Sequence, residues 1–256
     1  MIRPIAVAFV AVGLAVTWAE ALDHKNLDAG RPLRVEDAYT IAAGEAEIEA
    51  GLGVAALRRG IARGLLPIEI LYGLAPNFQA GIGTALATDP RTKDDGEHSG
   101  DLHLSALYNL NQETLALPAF GVKLDAALPT GVGAHGIDVG VKGIVTKSVD
   151  RLSTHLNAGY TFATDARGEE RDGRYVLVLG ASYPVGAPRY TRATIIADVF
   201  TEQAVRRADA PIGGAEIGFR YQLTPRLVWD AGMGTEFAGP RGRAVFTFTT
   251  GLSFGF

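Results

Sequence analysis

The chain has 256 residues, of which 47% are hydrophobic and 20% charged, a balance that suits one large domain or two small ones and is too polar for a bundle of membrane helices. It contains no cysteine, which excludes a disulfide scaffold, a zinc ribbon, a thiol nucleophile and a thiolate-bound iron–sulfur cluster. With 24 basic against 28 acidic residues, nothing in the charge points to a nucleic-acid partner.

The first element is an export signal. Arg3 supplies a positive charge ahead of an apolar run over residues 5–18, and Ala19-Glu20-Ala21 places small residues where a signal peptidase needs them. Residues 1–21 are therefore read as a signal peptide cleaved after Ala21. Residues 22–38, with Asp23, His24, Lys25 and Arg31, show no period and are assigned to the periplasm or the lumen, with the choice left open.

From Tyr39 onward the apolar residues recur at every second position, the signature of a strand with one apolar face. The first run is Ala46, Ile48, Ala50, Leu52, Val54, Ala56, opposite Glu45, Glu47, Glu49, Gly51 and Gly53. Runs of the same kind follow around Ile70, Ile82, Leu104, Leu124, Val141, Leu156, Leu179, Ile195, Ile217, Trp229 and Phe248, making twelve in all. An even number of such runs predicts an all-β, antiparallel transmembrane barrel of the Gram-negative outer-membrane type over residues 39–256. A soluble sandwich would carry lysine on its polar face, whereas here that face is built from glycines and opposed charges, which suits a lumen. Tyr72 and Phe78 flank one turn and Tyr108 and Phe120 another, as aromatic girdles do at a lipid interface. Tight connections at 75–77, 111–113, 147–150, 184–190 and 224–225 alternate with mostly longer, charged ones at 58–64, 89–100, 129–136, 163–173, 202–211 and 238–242. Short periplasmic turns and long external loops alternate in this way. The last run ends on Phe256, an aromatic carboxy-terminus of the kind that barrel-insertion machinery reads.

Strings that look like chemistry lose that meaning in this setting. Gly131-Val-Gly133-Ala-His-Gly136 is followed by another alternating strand rather than a helix, so it is a hairpin loop and not a dinucleotide site. Gly251-Leu-Ser253-Phe-Gly255 leaves three residues downstream of the serine, too few for the acid and histidine of a hydrolase. His98, Asp101 and His103 lack a metal-ligand spacing, and the acids of residues 89–97 depart from the calcium-loop order. No cofactor, metal or catalytic residue is assigned. A surface enzyme working through His98 or His103, and a structural or adhesion barrel, stand as the alternatives to a channel.

The strand period forces a second set of residues inward: Glu45, Glu47, Glu49, Glu69, Asp101, His103, Lys123, Asp125, Asp138, Lys142, His155, Asp198, Glu216, Arg220, Asp230 and Glu236. On the lipid side a lysine or arginine at mid-membrane would cost about 2–4 kcal/mol. Acids outnumber bases among these, which disfavours anions, and Lys123 is expected to pair with Asp138 or Lys142 with Asp125.

Four strings read together carry a resemblance: Tyr72-Gly73-Leu74, Gly100-Asp101-Leu102-His103-Leu104, Tyr108-Asn109-Leu110, and Lys123-Leu-Asp-Ala-Ala-Leu128-Pro129-Thr130-Gly131. They resemble the outer-membrane family described as "putative MetA-pathway of phenol degradation", over roughly residues 35–256. The resemblance implies a barrel transporter for small solutes, aromatic and other hydrophobic compounds among them, with outer-membrane lipid around it. It carries over Asp101 and the Pro129-Thr130-Gly131 turn, and no binding residue.

Overall fold

The computed structural model describes residues 22–27, 31–58, 62–88, 99–187, 190–241 and 243–256. The signal peptide, His98 and the acidic run at 89–97 lie outside the described residues.

Alternation along the chain becomes twelve strands: β1 (Ala46–Leu57), β2 (Ala62–Ala75), β3 (Phe78–Ala87), β4 (Leu102–Asn111), β5 (Ala119–Leu128), β6 (Asp138–Val149), β7 (Leu152–Ala163), β8 (Gly173–Val185), β9 (Ala193–Glu202), β10 (Ile212–Thr224), β11 (Leu227–Ala238) and β12 (Ala244–Gly255). Each pairs antiparallel with its sequence neighbours, and β1 pairs with β12, from Glu47 opposite Gly255 to Leu57 opposite Ala244, so the sheet closes into a barrel with no edge. Closure satisfies every strand's ladder internally, which is the condition for crossing a lipid bilayer.

The two faces have opposite fates because successive side chains point to opposite sides of a strand. Along β5, Leu124 is 54% exposed on the outside, while its neighbours Lys123 and Asp125 point inward. The outer surface is an apolar band. Tyr72, Phe78, Tyr108, Tyr183, Tyr221, Trp229 and Phe254 lie near its short-turn end, with Tyr160, Phe162, Phe237 and Phe246 toward the other. Phe78 meets Tyr108 edge-on at 6.3 Å and Phe219 meets Trp229 at 4.9 Å, so the girdle is packed as well as lined up.

Two-residue turns join β2 to β3, β6 to β7 and β10 to β11, and Asn77 and Asp150 take the left-handed conformation that such tight hairpins demand, at φ 64° and 55°. The β4–β5 connection is longer than the tight turn expected at 111–113. It runs over 112–118, because Glu113 is held against β6 by Lys147 Nζ (2.9 Å) and by the Ser148 backbone N–H (2.7 Å).

At the loop end, two of the strings that carry the resemblance form a single lock. Asp101 accepts a hydrogen bond from the Gly131 N–H (2.9 Å), while Thr130 Oγ1 accepts from the Leu102 N–H (2.9 Å) and donates to the Gly100 carbonyl (3.0 Å). A Cβ on Gly131 would sit 2.5 Å from the Ser99 carbonyl oxygen, so only glycine lets the β5–β6 loop approach this closely.

Candidate functional site

The segment ahead of β1 lies inside the barrel. Residues 31–44 wind around the inner wall as a belt, meeting the strands in falling order from β12 back to β2. Arg31 donates to Ser253 on β12 (3.0 Å) and pairs with Glu49 on β1 (3.3 Å) and Asp230 on β11 (3.4 Å). Arg34 reaches Glu202 on β9 (2.9 Å) and Glu216 on β10 (3.6 Å), and lies over the Phe200 ring at 4.1 Å. The Val35 N–H donates to Asp198 on β9 (3.1 Å). Asn157 on β7 holds the Glu36 backbone from both sides, accepting from its N–H (2.8 Å) and donating to its carbonyl (2.9 Å). Asn109 on β4 donates to the Ala38 carbonyl (2.7 Å), Thr146 on β6 accepts from the Ala38 N–H (3.0 Å), Gln79 on β3 accepts from the Ile41 N–H (2.8 Å), and the Gly44 N–H donates to the Gly73 carbonyl on β2 (2.8 Å).

Inward glycines give the belt its seat. A Cβ on Gly180 would come within 2.6 Å of Val35 Cγ2, and one on Gly232 within 2.8 Å of both Leu33 and the Pro32 carbonyl. Gly73 and Gly251 face Ala42 and Arg31 in the same way, and Gly121 and Gly218 face Ala38 and Leu33 less closely, at 3.3 and 3.2 Å. The space a wall side chain would fill is taken by the segment, whose apolar residues complete the core. Leu27, Leu33 and Val35 pack on Val178, Ile196 and Phe200, and Ala38 packs on Leu107, Ala119 and Ile144. A cavity beside Leu22, Glu47 and Phe256 has a volume of about 10 Å³, room for about one water. The short-turn half of the lumen is therefore filled. Toward the loop end the inward-facing Leu65 is 38% exposed, while Ala127, Asp138 and Arg174 are buried.

The residues singled out from the period fall into groups. Glu47, Glu49, Arg220 and Asp230 are buried together around Arg31, with Arg220 Nη2 at 3.9 Å from both glutamates and Ser253 donating to Glu49 (2.6 Å). Asp198 and Glu216 accept from the belt backbone at Val35 and Arg34. Lys142 Nζ lies 2.5 Å from Glu36 Oε1 and Lys123 Nζ 3.3 Å from Glu36 Oε2, with Asp125 at 3.9 Å from Lys123. Asp138 pairs with Arg174 at 2.9 Å. His155 is buried between Thr146 and Ser182, each at 3.1 Å. Glu69 accepts from Ser105 (3.1 Å), and Glu236 accepts from the Ala244 N–H (2.8 Å). Glu45 and His103 are half-buried, and Asp101 forms the loop lock described above.

The expected pairs of Lys123 with Asp138 and Lys142 with Asp125 give way to a different arrangement. Register places Lys123 directly opposite Lys142, and both ammonium groups turn to Glu36. Like charges facing each other across two strands are unfavourable, so a counter-ion between them is needed. Burial pushes the Glu36 carboxyl up, but the two lysines outweigh it and hold its pKa below the ordinary carboxylate value. No period marks an irregular segment, so the alternation that points to the wall residues does not point to Glu36, Arg31 or Arg34.

A closed antiparallel barrel with an apolar, aromatic-girdled exterior and a charged interior is a barrel of the outer-membrane type. The sequence profile described as "Putative MetA-pathway of phenol degradation" matches residues 29–252, and the chain belongs to that family. Its fold is similar to that of an outer membrane channel from Pseudomonas putida F1, with a TM-score of 0.64 at 13% identity, covering 90% of this chain and 100% of that one. It is also similar to the NanC porin (TM-score 0.59, 10% identity, 82% of this chain and 98% of that one). The KdgM porin in complex with disordered oligogalacturonate gives a TM-score of 0.57 at 12% identity, over 82% of this chain and 99% of that one. No curated protein matches at a significant level.

Proposed function

We propose that the protein is a passive outer-membrane channel for small solutes, aromatic and other hydrophobic compounds among them, held shut in this structure by residues 31–44 of its own chain. One observation carries the reading: the lumen is closed by a segment fixed through hydrogen bonds, ion pairs and packing alone, and a closure of that kind can be undone without breaking the wall. The inward residues named above, from Glu45 to Glu236, then line the path or anchor the belt, and the protein performs no chemistry on what passes. Cleavage after Ala21 and short turns on the periplasmic side belong to this reading, and the hydrogen bond from the Leu22 N–H to the Pro225 carbonyl (2.8 Å) at the β10–β11 turn is consistent with both. Insertion through Phe256 and a lipid surround belong to the same reading.

Liposome swelling tests it. Purified protein is reconstituted and challenged with phenol, benzyl alcohol, arabinose and potassium chloride, as the full chain and as Arg31→Ala. The full chain should pass solutes slowly, and the variant faster. If neither exceeds empty liposomes for any solute, the channel reading fails.

A further inference from the structure

Lys123 and Lys142 hold one carboxylate between them, and it comes from the belt rather than from the wall. Each ammonium takes a different oxygen of Glu36, at 3.3 Å and 2.5 Å, a geometry complementary to a single planar carboxylate. The wall beside Lys142 carries two glycines, of which Gly159 is tightly backed, with Val176 Cγ1 2.9 Å from where its Cβ would sit. Gly159 lies directly opposite Lys142 on β7, and Gly140 precedes it by two positions on β6. A Cβ on Gly140 would make only ordinary contacts, the nearest at 3.5 Å from Thr161. The lysine side chains retain 13% and 19% exposure while Glu36 has 3%, so the pair is less covered than the carboxylate it holds.

We propose that the Lys123–Lys142 pair is a receptor for the carboxylate of a small monocarboxylate solute, and that Glu36 is its resident occupant, which such a solute displaces to release the belt. The inference deepens the channel reading and rests on it only for the solute's onward passage. Displacement exchanges one carboxylate for another, so the buried lysines keep a counter-ion, while the released Glu36 carboxylate gives up both ammonium partners and must be hydrated as the belt leaves the wall. Asp125 stays beside Lys123, at 3.9 Å, and Glu69 is a further acid near it, so the site favours a single negative charge over a dianion. A neutral analogue has nothing to offer the two ammonium groups and should leave Glu36 in place.

The chain has no cysteine, so Thr40→Cys, in a half-buried stretch of the belt, is a unique reporter. Its maleimide labelling rate is measured in detergent-solubilised full-length protein at constant ionic strength, with benzoate, acetate, benzyl alcohol, chloride or inorganic phosphate added. Gel mobility that shifts on boiling checks that each variant has folded. Benzoate and acetate should raise the rate several-fold, and benzyl alcohol and chloride should not. In the Glu36→Gln background the rate should start at least about tenfold higher and ignore benzoate. The Lys123→Gln/Lys142→Gln double variant should likewise ignore benzoate. Equal responses to benzoate and chloride, no response to either carboxylate, or a benzoate response that survives loss of both lysines would each overturn the proposal. A response to phosphate alone would overturn the carboxylate assignment. The readout needs no flux, so failure of the swelling experiment and failure of this one are separate results.

Discussion

The two anchors of the belt are built from opposite charges. At Arg31 the segment brings a cation to a wall of acids, Glu49 and Asp230, with Glu47 and Arg220 beside them. At Glu36 it brings an anion to a wall of lysines on β5 and β6. The acids lie on β1 and β9–β11, and the lysines on the other side of the barrel's strand order. A segment that wound the other way would set arginine against lysine and glutamate against aspartate. The charge order along residues 31–36 therefore fixes direction and register as well as affinity, which the uniformly apolar contacts of Leu33 and Val35 could not do alone.

The anchors differ in how well they are shielded, and Arg31→Ala tests that difference at its largest. Arg31 and its partners Glu49 and Asp230 have side-chain exposures of 6%, 4% and 0%, and removing the cation leaves those acids facing Arg220, with the Ser253 hydroxyl still on Glu49. Breaking a buried pair in this way costs about 3–5 kcal/mol. The expected result is a lower thermal midpoint and fast labelling at Thr40→Cys. If labelling speeds up while the midpoint stays put, the belt contributes to closure and not to barrel stability, and the two anchors serve the gate alone.

Much of this architecture could be read in the sequence, and the rest could not for definite reasons. A period of two specifies a strand, its facing and its neighbours at once, so Ile48, Leu124 and Leu179 lie outside and Lys123, Asp198 and Asp230 inside by parity. The belt has no period, and each of its contacts joins residues far apart in the chain, as Asn157 to Glu36 does. Its trace was nevertheless present in the inward glycines. Gly73, Gly121, Gly180, Gly218, Gly232 and Gly251 look like a merely roomy lumen, but each lies where the segment approaches the wall. The lysine pairing escapes the period for another reason. Parity says which side a residue faces, but the β5–β6 register also depends on how the 129–137 loop closes, and Asp101 fixes that from a different hairpin.

The glycine seats offer an intermediate perturbation that leaves every charge intact. Gly180→Ala would force a methyl group against Val35 Cγ2, 2.6 Å from the ideal Cβ position, so the belt must shift or the wall must bend. Overpacking of this kind costs about 1–3 kcal/mol. The belt is the weaker of the two bodies, because its backbone is not in the ladder. Swelling rates should rise with little change in the barrel's heat-modifiable gel mobility. An unchanged swelling rate would mean that β8, and not the belt, absorbs the strain, and would assign less of the closure to seating.

The smallest effect is expected where the belt meets the short-turn rim. Tyr39 donates to Glu113 Oε2 (3.3 Å), and Glu113 in turn holds Lys147 (2.9 Å) and the Ser148 N–H (2.7 Å). Burial alone would raise the Glu113 pKa, but the hydrogen bonds from Lys147 and Ser148 outweigh it and hold the carboxyl below its ordinary value. A depressed folded-state pKa means that the stabilisation is fully present above the unfolded value, near about 4.3, and is lost as pH falls through the folded one. Glu113→Gln should therefore flatten the acid limb of stability against pH below about 4.3 while changing stability at neutral pH by no more than about 1 kcal/mol, as for other partly solvated ion pairs. Thermal midpoints from pH 3 to pH 7 for the parent and the variant provide the measurement. If the variant keeps the parent's acid slope, the titration belongs to carboxylates deeper in the lumen, Glu36 first among them, and the rim contact is incidental to holding the belt.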